Sequence, residues 1–233
     1  MTLSVGRSAL ALTVVIALSA TPVAAQVTAL PVPYFPNILP GLRTVMVHTD
    51  WRIAGSNAGD LTPLVARVVL NLGRVGISGG AGLLYDSELD DQVSAGGSVG
   101  FDIYSESASS PTLTFQGAVG YVQVAPEGSD AINRWDFPLG IGFSWYLPAL
   151  DYNIEPWVAP RLHVRRLNGS SGAGDVDETN VGVGVSAGLS VTHAVGPGLH
   201  LAVETLWIDE PLGDGRHVEF ALSGGIQAKF ALP

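Results

Sequence analysis

The sequence contains no cysteine. That excludes disulfides and every thiolate-ligated metal site. It has a single lysine, Lys229, and 11 lysine and arginine residues face 21 aspartates and glutamates. A formal charge of −10 at pH 7 argues against nucleic acid, whose phosphates recruit cationic surfaces. Beyond the first 25 residues no run of about 18 consecutive apolar residues occurs, so a helical membrane protein is not expected. Yet 47% of the 233 residues are hydrophobic. The apolar residues must follow a pattern other than long runs.

Residues 135–147 show that pattern. Trp135, Phe137, Leu139, Ile141, Phe143, Trp145 and Leu147 alternate with Asp136, Pro138, Gly140, Gly142, Ser144 and Tyr146. A period of two is a β-strand with one apolar face and one small or polar face. At about 3.3 Å per residue and a tilt near 40°, roughly 11 residues climb about 27 Å, which matches the apolar band of a membrane barrel. Comparable segments lie at about 43–54, 63–72, 75–86, 92–104, 111–124, 154–166, 180–192, 198–207 and 218–231. The expectation is an all-β, antiparallel up-and-down transmembrane β-barrel over residues 43–233. Ten strands are expected, or eight if the first two segments form something else.

The N-terminal 25 residues have the layout of a cleaved secretory signal. Arg7 supplies a positive start, Ala9–Leu18 an apolar core, and Val23-Ala24-Ala25 small residues at the cleavage point. Residues 26–42, with Pro31, Pro33, Pro36 and Pro40, read as an irregular periplasmic lead-in. From a periplasmic start, the outward connections fall at about 55–62, 87–91, 125–133, 167–179 and 208–217. They are acidic, with Asp86, Glu88, Asp90, Asp91, Asp209, Glu210 and Asp214 in or beside them. The periplasmic connections, 73–74, 105–110, 148–153 and 193–197, are shorter on average. Short inner turns and longer outer loops fit a transmembrane barrel.

The alternation also sorts the charges. Arg52, Arg67, Arg161, Arg165 and Lys229 share the small or polar face with Asp50, Asp102, Asp136, Glu204 and Glu219. His48, His163 and His200 fall on that face too. In a lipid-embedded barrel this face lines the lumen, where charges survive when paired. The 29 glycines concentrate there as well. A soluble sandwich would expose such glycine rows to water, where they weaken a strand and pack nothing. Inside a narrow barrel they leave room for larger side chains opposite.

With these features the chain resembles bacterial outer-membrane β-barrel proteins, in particular small barrels of the OmpA-like and opacity-protein-like kind. The resemblance rests on the signal segment, the repeated alternation, and a last strand with Val218, Phe220, Leu222, Ile226 and Phe230. That strand is similar to the one the barrel-assembly machinery recognises in this class. The chain departs from the class by ending Ala231-Leu232-Pro233 after Phe230, where an aromatic residue usually stands. The resemblance implies the outer membrane of a Gram-negative-type envelope, membrane lipids and the assembly machinery as partners, and a monomer.

Catalysis is not expected. Lipid A deacylases of this membrane have a histidine and a serine two apart on one strand, and no histidine here has a serine two positions later. Omptin-like proteases use paired acids and an Asp/His pair at the outer rim, whereas His48 and Asp50 come in reverse order on the first strand. No cofactor is expected. Asp175, Asp177 and Glu178 are weak oxygen-ligand candidates for Ca²⁺; a solvated acidic loop is the plainer reading. The function expected is a structural or surface-interacting barrel with a charge-filled lumen, the alternative a narrow porin-like channel for small polar solutes.

Overall fold

The computed structural model describes residues 43–55, 62–85, 92–104, 111–124, 132–171, 174–193, 196–209 and 216–233. The expected signal and lead-in, 1–42, lie outside the described residues, as do most of the expected acidic outer loops. The strands are β1 (Arg43–Gly55), β2 (Thr62–Leu72), β3 (Val75–Tyr85), β4 (Gln92–Tyr104), β5 (Thr112–Val124), β6 (Ile132–Ser144), β7 (Leu147–Ala149), β8 (Tyr152–Ser171), β9 (Gly174–His193), β10 (Gly196–Asp209) and β11 (Arg216–Ala231). Each pairs antiparallel with its neighbours in the order β6-β5-β4-β3-β2-β1-β11-β10-β9-β8, and β6 pairs with β8. The sheet is therefore a closed ten-strand barrel with no free edge. The three residues of β7 pair only with the start of β8. There is no helix among the described residues.

Two expectations need correction. The sixth strand runs Ile132–Ser144, not 135–147. Trp145 leaves the ladder, its N–H donating to the Pro156 carbonyl at 3.0 Å. The chain then reverses in a tight hairpin where Leu150 has φ +55°. The second correction concerns 167–179, expected as an outer loop. It is instead the end of β8 and the start of β9, paired from Leu167↔Glu178 to Ser171↔Gly174. Both faces of this extension are polar, so it lacks the alternation by which strands are recognised. Its backbone ladder forms regardless.

Exposure follows the period of two around the wall. Val47, Val68, Ile77, Leu139, Val183 and Ile226 are exposed, while His48, Arg67, Asp136, Ser186 and Gln227 are buried. A soluble barrel has the opposite sense, with its apolar face inward.

Proline has no ladder donor, and the pairing opens on one side of two of the prolines. Pairing of β5 with β6 stops between Gly117↔Leu139 and Gly120↔Asp136, flanking Pro138. Pairing of β6 with β8 stops between Gly140↔Arg161 and Phe143↔Val158, flanking Pro160.

Glycines of the inner wall make room for large neighbours. A Cβ on Gly188 would lie 2.6 Å from Nε1 of Trp157, which is buried in the lumen at 6% exposure. Gly188→Ala is expected to lower barrel stability by about 1–3 kcal/mol through overpacking. The loss should shrink in a Trp157→Ala background. Urea titration of the folded band on gels measures both, and equal losses in the two backgrounds would contradict the contact.

Candidate functional site in the lumen

The inward positions of β1, β2, β4, β6, β8, β10 and β11 carry polar and charged side chains. Five cations (Arg67, Arg134, Arg161, Arg165, Lys229) and six carboxylates (Asp50, Asp102, Asp136, Glu155, Glu204, Glu219) are buried there, with His48, His163 and His200. Their separations define three levels along the barrel.

Nearest the outer end, Asp136 of β6 gathers three donors. Nε of Arg134 lies 2.8 Å from it, Nε2 of His163 2.6 Å and Nε of Arg165 3.0 Å. Arg134 and Asp136 are two apart on one strand, and Asp136↔Arg165 is a register pair. The Arg165 guanidinium also donates to both oxygens of Glu219 on β11, at 2.5 and 2.8 Å. Between β8 and β11 stand β9 and β10, so this bidentate pair spans the lumen. A planar guanidinium suits such double recognition.

At mid-height, Arg161 of β8 pairs with Glu204 of β10. Asp50 accepts from Arg67 of β2 at 2.8 Å, and Nε2 of His200 on β10 lies 2.6 Å from its other carboxylate oxygen. Nearer the opposite end, Lys229 of β11 lies 3.9 Å from Glu155 of β8. Gln227 donates to Thr192, and Asn71 to Thr44 at 3.1 Å.

Of the residues singled out from sequence, Asp50, Arg67, Asp136, Arg161, His163, Arg165, His200, Glu204, Glu219 and Lys229 are drawn into these ion pairs. His48 is buried with its ring centroid 5.6 Å from that of His200. Asp102 is buried apart from them, near the inner turn, where its N–H donates to the Arg74 carbonyl. The Arg52 side chain lies outside the described residues. Arg134 and Glu155 were missed. Both share parity with residues that were found, Arg134 with Asp136 and Glu155 with Arg161, and that parity is the signal that finds them.

Asp175, Asp177 and Glu178 form no cation cage. They lie on β9, not on a loop, and strand alternation puts Glu178 on the opposite face from the two aspartates. Asp177 is taken by Arg166, 3.2 Å away in an exposed pair.

The opposite wall is built of small residues. Ser78, Gly80, Gly96, Ser98 and Ala118 on β3, β4 and β5 face inward and are half-exposed. Ser78 and Ser98 hydroxyls lie 2.6 Å apart, and Gln116 donates to Ser98 at 2.8 Å.

Outside the barrel, Trp51, Trp135 and Trp207 are exposed near the outer strand ends, and Tyr121 packs on Trp135 with ring centroids 4.7 Å apart. Phe101, Tyr104, Phe143, Tyr152 and Phe230 are exposed near the inner ends. Aromatic girdles on either side of an aliphatic band mark a lipid-facing surface. This wall is shaped for lipid.

No protein-family model matches the chain. No curated protein matches it either. Among solved structures, the chain is similar to the N-terminal β-barrel domain of Pseudomonas aeruginosa OprF, at 10% identity and a TM-score of 0.38. That similarity covers 82% of this chain and 98% of the OprF domain.

Proposed function

We propose that the protein is an integral outer-membrane β-barrel whose role is structural or surface-interacting, with its lumen braced by ion pairs. The observation that carries this reading is the Arg165 bridge from Asp136 to Glu219. It ties β6, β8 and β11 together across the space an open pore would need. Paired charges stiffen such a lumen, and a ten-strand barrel is closer to the side-chain-filled size than to the open 16-strand porins. On this reading the barrel is a non-catalytic monomer in contact with membrane lipids. The β8–β9 hairpin, with Asp175 and Asp177 exposed, offers an acidic surface beyond the membrane.

A second reading, a narrow passage for small polar solutes, is favoured by the half-exposed small-residue wall of β3, β4 and β5. Single-channel recording in planar bilayers separates the two. The braced barrel is expected to be silent, and Arg165→Ala is expected to introduce brief openings by releasing Glu219. Steady conductance of the unaltered protein would overturn the first reading in favour of the second.

A further inference from the structure

The sequence sets His48 and Asp50 two apart on β1, and the fold brings His200 of β10 to them. One donor atom from each of the three lies within 4.8 Å of the others, the only such group of three among the described residues. All three are buried, at 0%, 0% and 7% exposure.

Only β11 stands between β1 and β10 in the wall. Asp50 and His200 are both register partners of Gly225 on β11. A Cβ on Gly225 would lie 2.6 Å from Cε1 of His200 and 2.9 Å from its Nε2. Glycine at this position is what lets the imidazole lie across β11 to reach the carboxylate. Arg67, the register partner of His48, holds the second oxygen of Asp50 at 2.8 Å. One carboxylate oxygen is thus anchored and the other faces the imidazoles.

We propose that His48, Asp50 and His200 form a binding site for a divalent late transition metal, Zn²⁺ or Cu²⁺. Two imidazoles and a carboxylate are the donor set such ions favour. Ligand atoms around a tetrahedral zinc stand about 3.3 Å apart, given bonds of about 2.0–2.2 Å. Changes in side-chain torsion bring the present donors to that spacing. The ion sits between Nε2 of His200 and the Asp50 carboxylate, with the ligating imidazole neutral and its N–H at Nδ1. Arg67 orients the ligating carboxylate from behind, as outer partners of metal ligands do. Its positive charge also weakens the site. Selectivity against Ca²⁺ and Mg²⁺ follows, since those ions require oxygen donors. The site rests on the barrel fold and is independent of whether the lumen conducts.

The test is to refold the full-length barrel in detergent with Zn²⁺ present, remove free ion, and measure bound zinc on the folded, heat-modifiable fraction. About one zinc per chain is expected. His48→Gln and His200→Gln are each expected to lower affinity by at least tenfold, whereas His163→Gln leaves it unchanged. Should the histidine variants fail to fold, Cu²⁺ bound to the unaltered barrel gives a second reading, a paramagnetic resonance spectrum with coupling to two nitrogens. No uptake by the unaltered protein, uptake undiminished in both histidine variants, or a copper spectrum without nitrogen coupling would each overturn the site.

Discussion

Replacing Asp136 by alanine is expected to lower the stability of the folded barrel by about 3–5 kcal/mol, the usual cost of removing one partner from a buried ion pair. Asp136 is buried and accepts from Arg134, His163 and Arg165 within 3.0 Å. Its loss leaves two guanidinium groups at the same level of a narrow lumen, one of them, Arg165, still paired with Glu219. Glu219→Gln is the informative comparison. There Arg165 keeps its 3.0 Å contact to Asp136 and the amide still accepts a hydrogen bond, so the loss should be less than half as large. Urea midpoints of the heat-modifiable band measure both. A deficit for Asp136→Ala no greater than that for Glu219→Gln would show that Asp136 is not the centre of this cluster. The paired double variant should lose less than the two single losses combined, because the two carboxylates share Arg165.

The period of two in residues such as Phe137 to Phe143 was enough to recover the strands and the sense of their faces, because lipid outside and side chains inside impose opposite chemistries on alternate positions. The same signal fails wherever both faces meet the same solvent. Beyond Arg166 the β8–β9 hairpin has polar residues on either side, and the sequence reads as a loop although the ladder continues. Large apolar residues in the lumen blur the frame in another way. Trp157 and Ala159 point inward and interrupt the polar face of β8, so Glu155 at its start is not recognised. Trp157 is tolerated there because Gly188 faces it on β9, a fact that only the register reveals. Arg134 was lost to a strand start placed at Trp135, three residues late. The pairing itself was not legible. Arg165 meeting Glu219, or His200 meeting Asp50, depends on how far each strand slides past the next around the closed sheet, and no local pattern encodes that stagger.

The face assignment itself meets its strongest test at Val185→Arg, which is expected to abolish folding into bilayers or reduce the folded fraction more than tenfold. Val185 lies in the middle of the lipid-crossing part of β9, is 41% exposed, and has exposed Val183 and Leu189 on the same face. An arginine on the lipid face at mid-membrane costs about 2–4 kcal/mol, and tenfold in an equilibrium corresponds to about 1.4 kcal/mol. Its register partners are Thr205 on β10 and Pro160 on β8. Neither brings a carboxylate to neutralise the charge. Ser186, one residue on, points the other way. From sequence alone Ser186→Arg is expected to be the milder change if the lumen has space, but Ser186 is fully buried and donates to the Ala159 carbonyl at 3.4 Å. An arginine there has no room, so it too should impair folding, by overpacking instead of by charge in lipid. The mild partner is Ser186→Ala, which removes one long hydrogen bond and adds no volume. Thinning the bilayer separates the two arginine defects. Shorter lipids let the Val185→Arg guanidinium reach the headgroups and should restore part of its folding, whereas the packing defect at Ser186→Arg stays. Recovery of both variants alike, or normal folding of Val185→Arg in thick bilayers, would mean that this face of β9 does not meet lipid.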